Sequence, residues 1–186
     1  MIVEMLKRYV PINEQEEKDK QVVLDVIKNQ GLVAFTRDSE LAHLTASGFV
    51  VNQTGDKVLM AYHHIYDSFA WTGGHADGET DLLQVSLNEA REETGIVQLR
   101  PLLSEIAGLE VLTVEGHVKK GRYVNAHLHL NVTFLLVGDD TDCLTVKADE
   151  NSAVSWIAFD ELASVCREPL MLPIYEKYVE KVKKIL

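Results

Sequence analysis

Cysteine and long apolar runs are both scarce in this chain. Only two of the 186 residues are cysteines, Cys143 and Cys166, and their spacing matches no metal-binding motif. Two cysteines cannot build the disulfide framework of a small secreted protein, so we expect a reduced, cytoplasmic location. The longest apolar stretches, such as 132–137, have the length of a strand and are too short to cross a bilayer. The N-terminus lacks a signal-peptide cleavage site, and no membrane partner is expected.

Positive charge is also in short supply. The chain has 18 Lys and Arg residues against 29 Asp and Glu residues, which leaves a formal net charge of −11. Sequence-independent binding to a nucleic acid duplex needs a basic face for the phosphates, so this class of partner is not expected. A small polyanionic substrate stays possible, but only if a cation intervenes between it and the protein.

No internal repeat, low-complexity tract or linker divides the chain, so we predict a single domain over residues 1–186. Near the N-terminus, Asn13 can cap a helix that runs to about Gln30, because acidic residues fill its first turn. Gly31 is a suitable stop for that helix.

The middle of the chain has the pattern of strands around a central helix. Short apolar runs at 49–51 and 58–60 predict a hairpin, and a helix follows from Thr80 or Asp81 to Thr94, with Gly95 as its stop. The remaining predicted elements are strands near 106–114, 124–137 and 154–157, a loop at 116–121, and an amphipathic helix from about Leu170. This order indicates an α/β fold in which a mixed sheet is covered by helices on two faces.

Three acidic residues of the central helix share one face. Glu89, Glu92 and Glu93 stand at positions i, i+3 and i+4, and at about 100° per residue they point in a common direction. Like charges this close repel each other, and a hard divalent cation with its preference for oxygen ligands would offset the repulsion. The alternative is a solvated acidic face without any ligand.

The segment 71–96 resembles the Nudix box, the signature of a family of diphosphate hydrolases. That signature runs Gly, five residues, Glu, seven residues, Arg-Glu, an aliphatic residue, any residue, Glu-Glu, any residue, Gly, aliphatic. If Gly74 is the first glycine, the spacing holds and six later positions match: Glu89, Ala90, Glu92, Glu93, Gly95 and Ile96. Two positions depart, because Thr80 stands where the first Glu belongs and Asn88 replaces the Arg.

The resemblance implies a Nudix-fold α/β/α sandwich with a mixed β-sheet. It places an N-terminal helical extension at 1–43, a Nudix core at 44–163 and a C-terminal helix at 164–186. It also implies hydrolysis of the diphosphate bond of a nucleoside diphosphate linked to another group, with Mg²⁺ or Mn²⁺ as cofactor. Nucleoside triphosphates, oxidised nucleotides and nucleotide sugars such as ADP-ribose are all compatible substrates.

The resemblance also implies roles for individual residues. Glu89, Glu92 and Glu93 match the family's metal ligands, and Glu92 and Glu93 are expected to be catalytic. The glycine pair Gly73 and Gly74 would let the backbone approach a phosphate closely, with His75 beside it. A general base comes from a later loop in this family, and Glu150 or its neighbour Asp149 is the candidate here; a solvated loop acid is the alternative.

Polar residues alternate along the strand predicted over 124–137. Since every second residue points to the same face, His127 and His129 share that face with Asn125, Asn131 and Thr133. The pattern indicates either a pocket wall or a hydrated strand edge. In the first case His127 and His129 would contact phosphate or substrate, a role we prefer to that of metal ligands.

Two other functions fit parts of the pattern. The departures at Thr80 and Asn88 allow a Nudix-like nucleotide-binding module or ligand sensor with little catalysis. An isomerase of isoprenyl diphosphates has the same fold, but its chemistry uses a Cys/Glu pair, and neither cysteine is near the box in sequence. A homodimer is a possible assembly for the family.

Overall fold

The computed structural model describes residues 2–63, 67–119, 121–147 and 151–186. The described strands are β1 (Ala42–Asn52), β2 (Lys57–His63), β3 (Ser68–Ala70), β4 (Thr72–His75), β5 (Leu99–Pro101), β6 (Gly108–Val114), β7 (His117–Lys119), β8 (Arg122–Val124), β9 (His127–Gly138) and β10 (Asn151–Ala158). The α-helices are α1 (Ile2–Arg8), α2 (Glu14–Gln30), α3 (Leu82–Thr94), α4 (Leu162–Val165) and α5 (Leu172–Ile185), with 3-10 turns at Gly31–Phe35 and Phe159–Glu161.

The main sheet is mixed, as predicted, and its two long central strands are parallel. Its order is β10-β2-β1-β9-β5, and β3, β4 and β6 pair with β2, β1 and β9 respectively. The pairing of β1 with β9 is parallel, whereas the other pairs in this sheet are antiparallel. Strand β4 therefore lies on β1 at the end where β1 and β9 begin.

The two helices predicted from their end signals are confirmed. The Asn13 side chain accepts a hydrogen bond from the Glu16 N–H, and α2 ends at Gly31. Helix α3 begins after Asp81, whose side chain accepts from a backbone N–H of the first turn, and it ends at Gly95. Gly95 has a φ of 70°, the left-handed conformation that a residue without Cβ adopts most easily.

Some element boundaries differ from the sequence predictions. Strand β1 begins at Ala42, so His43 belongs to the sheet and not to the N-terminal extension predicted over 1–43. The predicted loop at 116–121 contains β7, which pairs antiparallel with β8 directly after the loop, and β9 begins only at His127. Short edge strands of this kind have little apolar patterning, so local sequence signals do not reveal them.

Apolar side chains form one core on each face of the sheet. Alternate residues of β1 point to opposite faces: Leu44 and Val50 join α1, α2 and α3 in one core, whereas Phe49 and Val51 join α4 and α5 in the other. Strand β9 divides in the same way. The result is the predicted sandwich of a sheet between helical layers. Among the described residues, no helix is both long enough and apolar enough to span a membrane.

A buried charge network connects the N-terminal helix α2 to the rest of the fold. Lys177 Nζ of α5 lies 2.8 Å from Glu16 Oε1 of α2 and 2.7 Å from Glu110 Oε1 of β6. Burial raises the pKa of the Glu16 carboxyl, but hydrogen bonds from Lys177 and Tyr9 outweigh this effect and hold the pKa below its ordinary value. Because the partners come from three elements, the N-terminal segment is an integral part of the domain.

Candidate active site

The carboxylate of Glu93 joins α3 to two strands. Its Oε1 accepts a hydrogen bond from the Gly73 backbone N–H of β4 at 2.9 Å, and its Oε2 lies 3.5 Å from Asn151 Nδ2 at the start of β10. The residue is only 7% exposed, so the charged group is held in place where helix and strands meet. A buried carboxylate needs such donors. Burial without a hydrogen bond costs about 2–7 kcal/mol for a neutral polar group, and more for a charged one.

Glu89 is placed against the second glycine of the pair. A Cβ atom on Gly74 would lie 2.3 Å from the Glu89 Oε1, a distance that real contacts essentially never reach. A side chain at residue 74 would therefore displace this carboxylate. Each glycine of the pair therefore has its own structural role: the Gly73 N–H donates to Glu93, and the missing side chain of Gly74 leaves room for Glu89.

Glu92 completes the trio from the outer side of the helix. Glu92 is exposed, Glu89 is half-buried and Glu93 is buried. The Glu92 side chain is therefore open to a ligand from solvent, whereas the Glu93 carboxylate contacts the glycine strand.

The donor atoms around Glu93 fit a hard divalent cation. Besides the three carboxylates, the buried Asn151 side chain has an amide oxygen with no hydrogen-bond partner in the described part of the chain. Carboxylate and amide oxygens are the ligands that Mg²⁺ and Mn²⁺ prefer. This unsatisfied oxygen beside the Glu93 carboxylate is the feature that a bound cation, directly or through its waters, would explain.

Thr80, which replaces the expected first glutamate of the signature, has no carboxylate to add to those of Glu89, Glu92 and Glu93. Its neighbour Glu79 is exposed, and the Glu79 Oε1 accepts from the backbone N–H groups of Thr80 at 2.6 Å and Asp81 at 2.8 Å. Glu79 therefore orders the turn that leads into α3.

Asn88, at the position of the signature arginine, is on the exposed side of α3. Its Oδ1 accepts a hydrogen bond of 2.7 Å from Gln84 Nε2 one turn earlier. Arg91 does not substitute for the missing arginine, because its guanidinium donates to the Leu99 carbonyl on the far side of the helix at 3.1 Å. In this chain, the Gly73 N–H and the Asn151 side chain contact the carboxylate of Glu93.

The proposed general base lies outside the described residues. Glu150 and Asp149 fall between the described ranges that end at 147 and resume at 151. Asn151, the next residue in the chain, is beside Glu93.

Histidines from three strands form a second group near the glycine pair. His75 is the residue after Gly74, and its ring is packed against His43 of β1 and His129 of β9, with ring centroids 5.1 Å and 4.8 Å away. His127 stacks on His43 at 4.9 Å. One nitrogen of each of the four rings lies within 4.8 Å of those of the others, so the group could hold a metal ion.

Burial lowers the pKa of two of these histidines, His43 and His129. The pKa of His129 is lowered to about 3, mainly by burial and in part by the charges of the neighbouring His75, His43 and His127. Burial also lowers the pKa of His43, against a hydrogen bond to Ser39 that raises it. At neutral pH these two rings are therefore imidazoles with a lone pair on one nitrogen.

The rest of the alternating stripe on β9 is a closed polar cluster and not a pocket wall. Asn131 accepts from Thr45 at 3.0 Å and Ser47 at 2.9 Å, and it donates to Glu110 at 3.1 Å and Thr133 at 3.0 Å. Both of its donors and both of its lone pairs are used. Asn125, the first residue of the stripe, precedes β9, and its amide donates to the Glu40 carbonyl.

Two residues of these groups escaped the sequence analysis. His43 lies just before the predicted start of the Nudix core at residue 44, although it alternates with Thr45 and Ser47 as His127 alternates with His129 and Asn131. Asn151 follows Glu150 directly, but no local pattern indicates that it reaches Glu93.

Together, the fold and the site define an α/β/α protein in which a helix presents carboxylates to a glycine-bearing strand. No model of a protein family matches the chain, and no curated protein matches it in sequence. Solved structures do match. A NUDIX family hydrolase from Clostridium perfringens is 18% identical over 75% of this chain and 97% of that chain, with a TM-score of 0.54.

Two further solved structures have related names. A C. elegans Ap4A hydrolase is 15% identical over 76% of this chain and 98% of that chain, with a TM-score of 0.52. The E. coli dihydroneopterin triphosphate pyrophosphohydrolase is 15% identical over 74% of this chain and 95% of that chain, with a TM-score of 0.55. The chain therefore has the Nudix fold.

Proposed function

We propose that this protein is a divalent-metal-dependent hydrolase that cleaves the diphosphate bond of a nucleotide-like substrate. The observation that carries the proposal is the placement of Glu93 and Glu89 against Gly73 and Gly74, with the spacing of the Nudix box maintained between strand and helix. An acidic helix face that was only solvated would not bury one of its carboxylates against a backbone donor.

Glu89, Glu92 and Glu93 would hold Mg²⁺ or Mn²⁺. When bound, the cation supplies positive charge to the phosphoryl oxygens and lowers the pKa of water for attack on phosphorus. The protein itself, at a net charge of −11, has little other positive charge with which to hold a polyanion.

The other groups position the reactants. Gly73 and Gly74 present backbone without side chains, so a phosphate can approach this strand closely. The Gly73 N–H and Asn151 hold the Glu93 carboxylate in one orientation. Glu150 is our candidate for the group that takes the proton from the attacking water, because it directly precedes Asn151 in the chain.

The solved structures with the same fold support the substrate class. One is named as a hydrolase of Ap4A and one as a pyrophosphohydrolase of dihydroneopterin triphosphate, and both compounds contain phosphoanhydride bonds. For this chain, nucleoside triphosphates, oxidised nucleotides and nucleotide sugars such as ADP-ribose are the compounds to test. A cytoplasmic location and a homodimer stay predictions.

A ligand sensor with little catalysis is the second candidate function. It is favoured by Asn88, whose amide oxygen is bonded to Gln84 on the surface of α3 where the signature has an arginine. The isomerase alternative has no support in the described residues, because Cys143 is exposed and the Cys166 thiol contacts the Glu168 carbonyl.

The test is a panel of diphosphate compounds incubated with the protein and Mg²⁺ or Mn²⁺, with phosphate measured after a phosphatase step. Metal-dependent release from at least one compound is expected, and a chelator should abolish it. Tight nucleotide binding in Mg²⁺ without hydrolysis of any compound would establish the sensor instead.

A further inference from the structure

We propose that His43, His75, His127 and His129 form a second metal site, which binds a transition-metal ion of the Zn²⁺ type. The site is separate from the carboxylate trio in residues and in donor chemistry. Imidazole nitrogen suits Zn²⁺, Ni²⁺ and Cu²⁺, whereas Mg²⁺ and Mn²⁺ prefer oxygen. The proposal does not depend on the hydrolase activity.

The first argument is the convergence of four rings from three strands. Parallel pairing sets His43 of β1 beside His129 of β9, and His127 lies two residues before His129 on the same face. Antiparallel pairing sets His75 of β4 opposite Thr45, which shares a face with His43. Non-local pairing therefore places all four side chains on one face at one end of the sheet.

The second argument is the distance between the nitrogens. The Nε2 atoms of His127 and His129 are 3.2 Å apart. Two imidazoles on one tetrahedral Zn²⁺, with Zn–N bonds of about 2.0–2.1 Å, have nitrogens about 3.3 Å apart. All four candidate nitrogens already lie within 4.8 Å of one another. Small rotations of the four rings would bring them to the spacing that ligands of one Zn²⁺ ion have.

The third argument is the orientation of the rings. The Nδ1 of His43 lies 3.0 Å from the Ser39 carbonyl, and the Nδ1 of His127 lies 2.9 Å from the Asn125 carbonyl. Since a carbonyl oxygen only accepts, each Nδ1 must carry the hydrogen, which leaves each Nε2 as the nitrogen that can bind a metal. Metal-binding histidines usually make this same bond from the second ring nitrogen to a carbonyl or carboxylate.

The fourth argument is an unsatisfied atom. His43 is 5% exposed, and its Nε2 is buried with no hydrogen-bond partner among the described residues. Buried polar atoms are rarely left in that state without a water or ion. The unprotonated Nε2 of His43 attracts a cation and repels a phosphate, so an ion explains this atom better than an anionic substrate does.

An ion at this point would connect β4 to β1 and β9. His75 directly follows Gly74, the residue that makes room for Glu89. A bound metal would therefore stabilise the strand end that carries the glycine pair.

The experiment uses the untagged full chain, stripped of metal with a chelator and titrated with Zn²⁺ in a calorimeter. One ion per chain is expected, and a hundredfold excess of free Zn²⁺ over the dissociation constant should raise the melting temperature by about 5–10 °C. X-ray absorption of the zinc-loaded protein should show only nitrogen neighbours at about 2.0–2.1 Å with imidazole scattering. Excess Mg²⁺ should not displace the zinc.

The variants His127→Gln and His129→Gln should each weaken zinc binding more than a hundredfold, since even loss of an outer partner typically costs about 10- to 100-fold. His117→Gln, a histidine of β7 outside the group, is the matched control and should bind as the wild type does. If a variant fails to fold, the wild-type absorption spectrum still decides.

Three results would overturn the site: no zinc bound by the wild type, an oxygen or sulfur neighbour shell, or equal affinity in His127→Gln and the control. Metal-free binding of inorganic pyrophosphate that His127→Gln abolishes would also overturn it and return these histidines to the substrate site. Because no readout uses turnover, failure here leaves the hydrolase proposal standing.

Discussion

Replacement of Glu93 by glutamine separates the charge of this residue from its size. The Gly73 N–H can still donate to the amide oxygen of the new side chain, at the place where it now bonds Oε1 at 2.9 Å. The new NH₂ group would face Asn151, whose amide can rotate and offer the Oδ1 atom that has no partner now. The hydrogen bonds are thus replaced and not lost, and we expect Glu93→Gln to change the free energy of unfolding by only about 1 kcal/mol.

Turnover should respond much more strongly. The substitution removes one negative charge from the trio, and interactions with a charged partner contribute about 1.5–3 kcal/mol each. A hundredfold loss of kcat corresponds to about 2.7 kcal/mol, near the top of this range, and the loss of a metal ligand should reach at least that value.

The assay is steady-state hydrolysis of the best compound from the diphosphate panel, over a series of Mg²⁺ concentrations, with a thermal melt on each sample. Glu105→Gln, the same change at an exposed glutamate of the loop before β6, is the matched control and should keep full activity. Wild-type turnover in folded Glu93→Gln would refute the role assigned to this carboxylate.

Two further predictions concern the glycine strand and the buried charge network. Gly74→Ala should lower kcat by about a hundredfold while the protein stays folded, because the new Cβ would displace the Glu89 carboxylate from its present position. Gly116→Ala is the control, and equal kinetics for the two variants would contradict this packing of Glu89 against Gly74. Glu16→Gln should reduce the free energy of unfolding at pH 7 by about 1.5–3 kcal/mol, since it removes one of the two carboxylates that pair with Lys177. The pKa of Glu16 is lowered in the folded state, so its contribution to stability is present above the ordinary value of 4.5 and is lost as pH falls through the folded pKa. In urea melts, the free energies of unfolding of the wild type and the variant should therefore converge at low pH. A difference that stays constant with pH would argue against the ion pair.

Local sequence signals predicted the helices α2 and α3 correctly, because a helix is defined by residues close in the chain. Helix α2 begins after Asn13 and ends at Gly31, and helix α3 begins after Asp81 and ends at Gly95. The hydrogen bonds and backbone angles that set these ends span only a few residues. The spacing of the three glutamates on α3 is likewise a property of helix geometry alone. The resemblance to the Nudix box then predicted the sandwich that the structure shows.

Tertiary structure alone decided which distant side chains meet. Glu93 is buried because β4 and β10 bring Gly73 and Asn151 to the same helix, and no pattern within α3 marks it as different from Glu92. His43 belongs with the other histidines because β1 lies between β4 and β9. These contacts join residues far apart in the chain, and they depend on strand order and register, which the periodicity within a single strand leaves undetermined because it does not say which strand pairs with which.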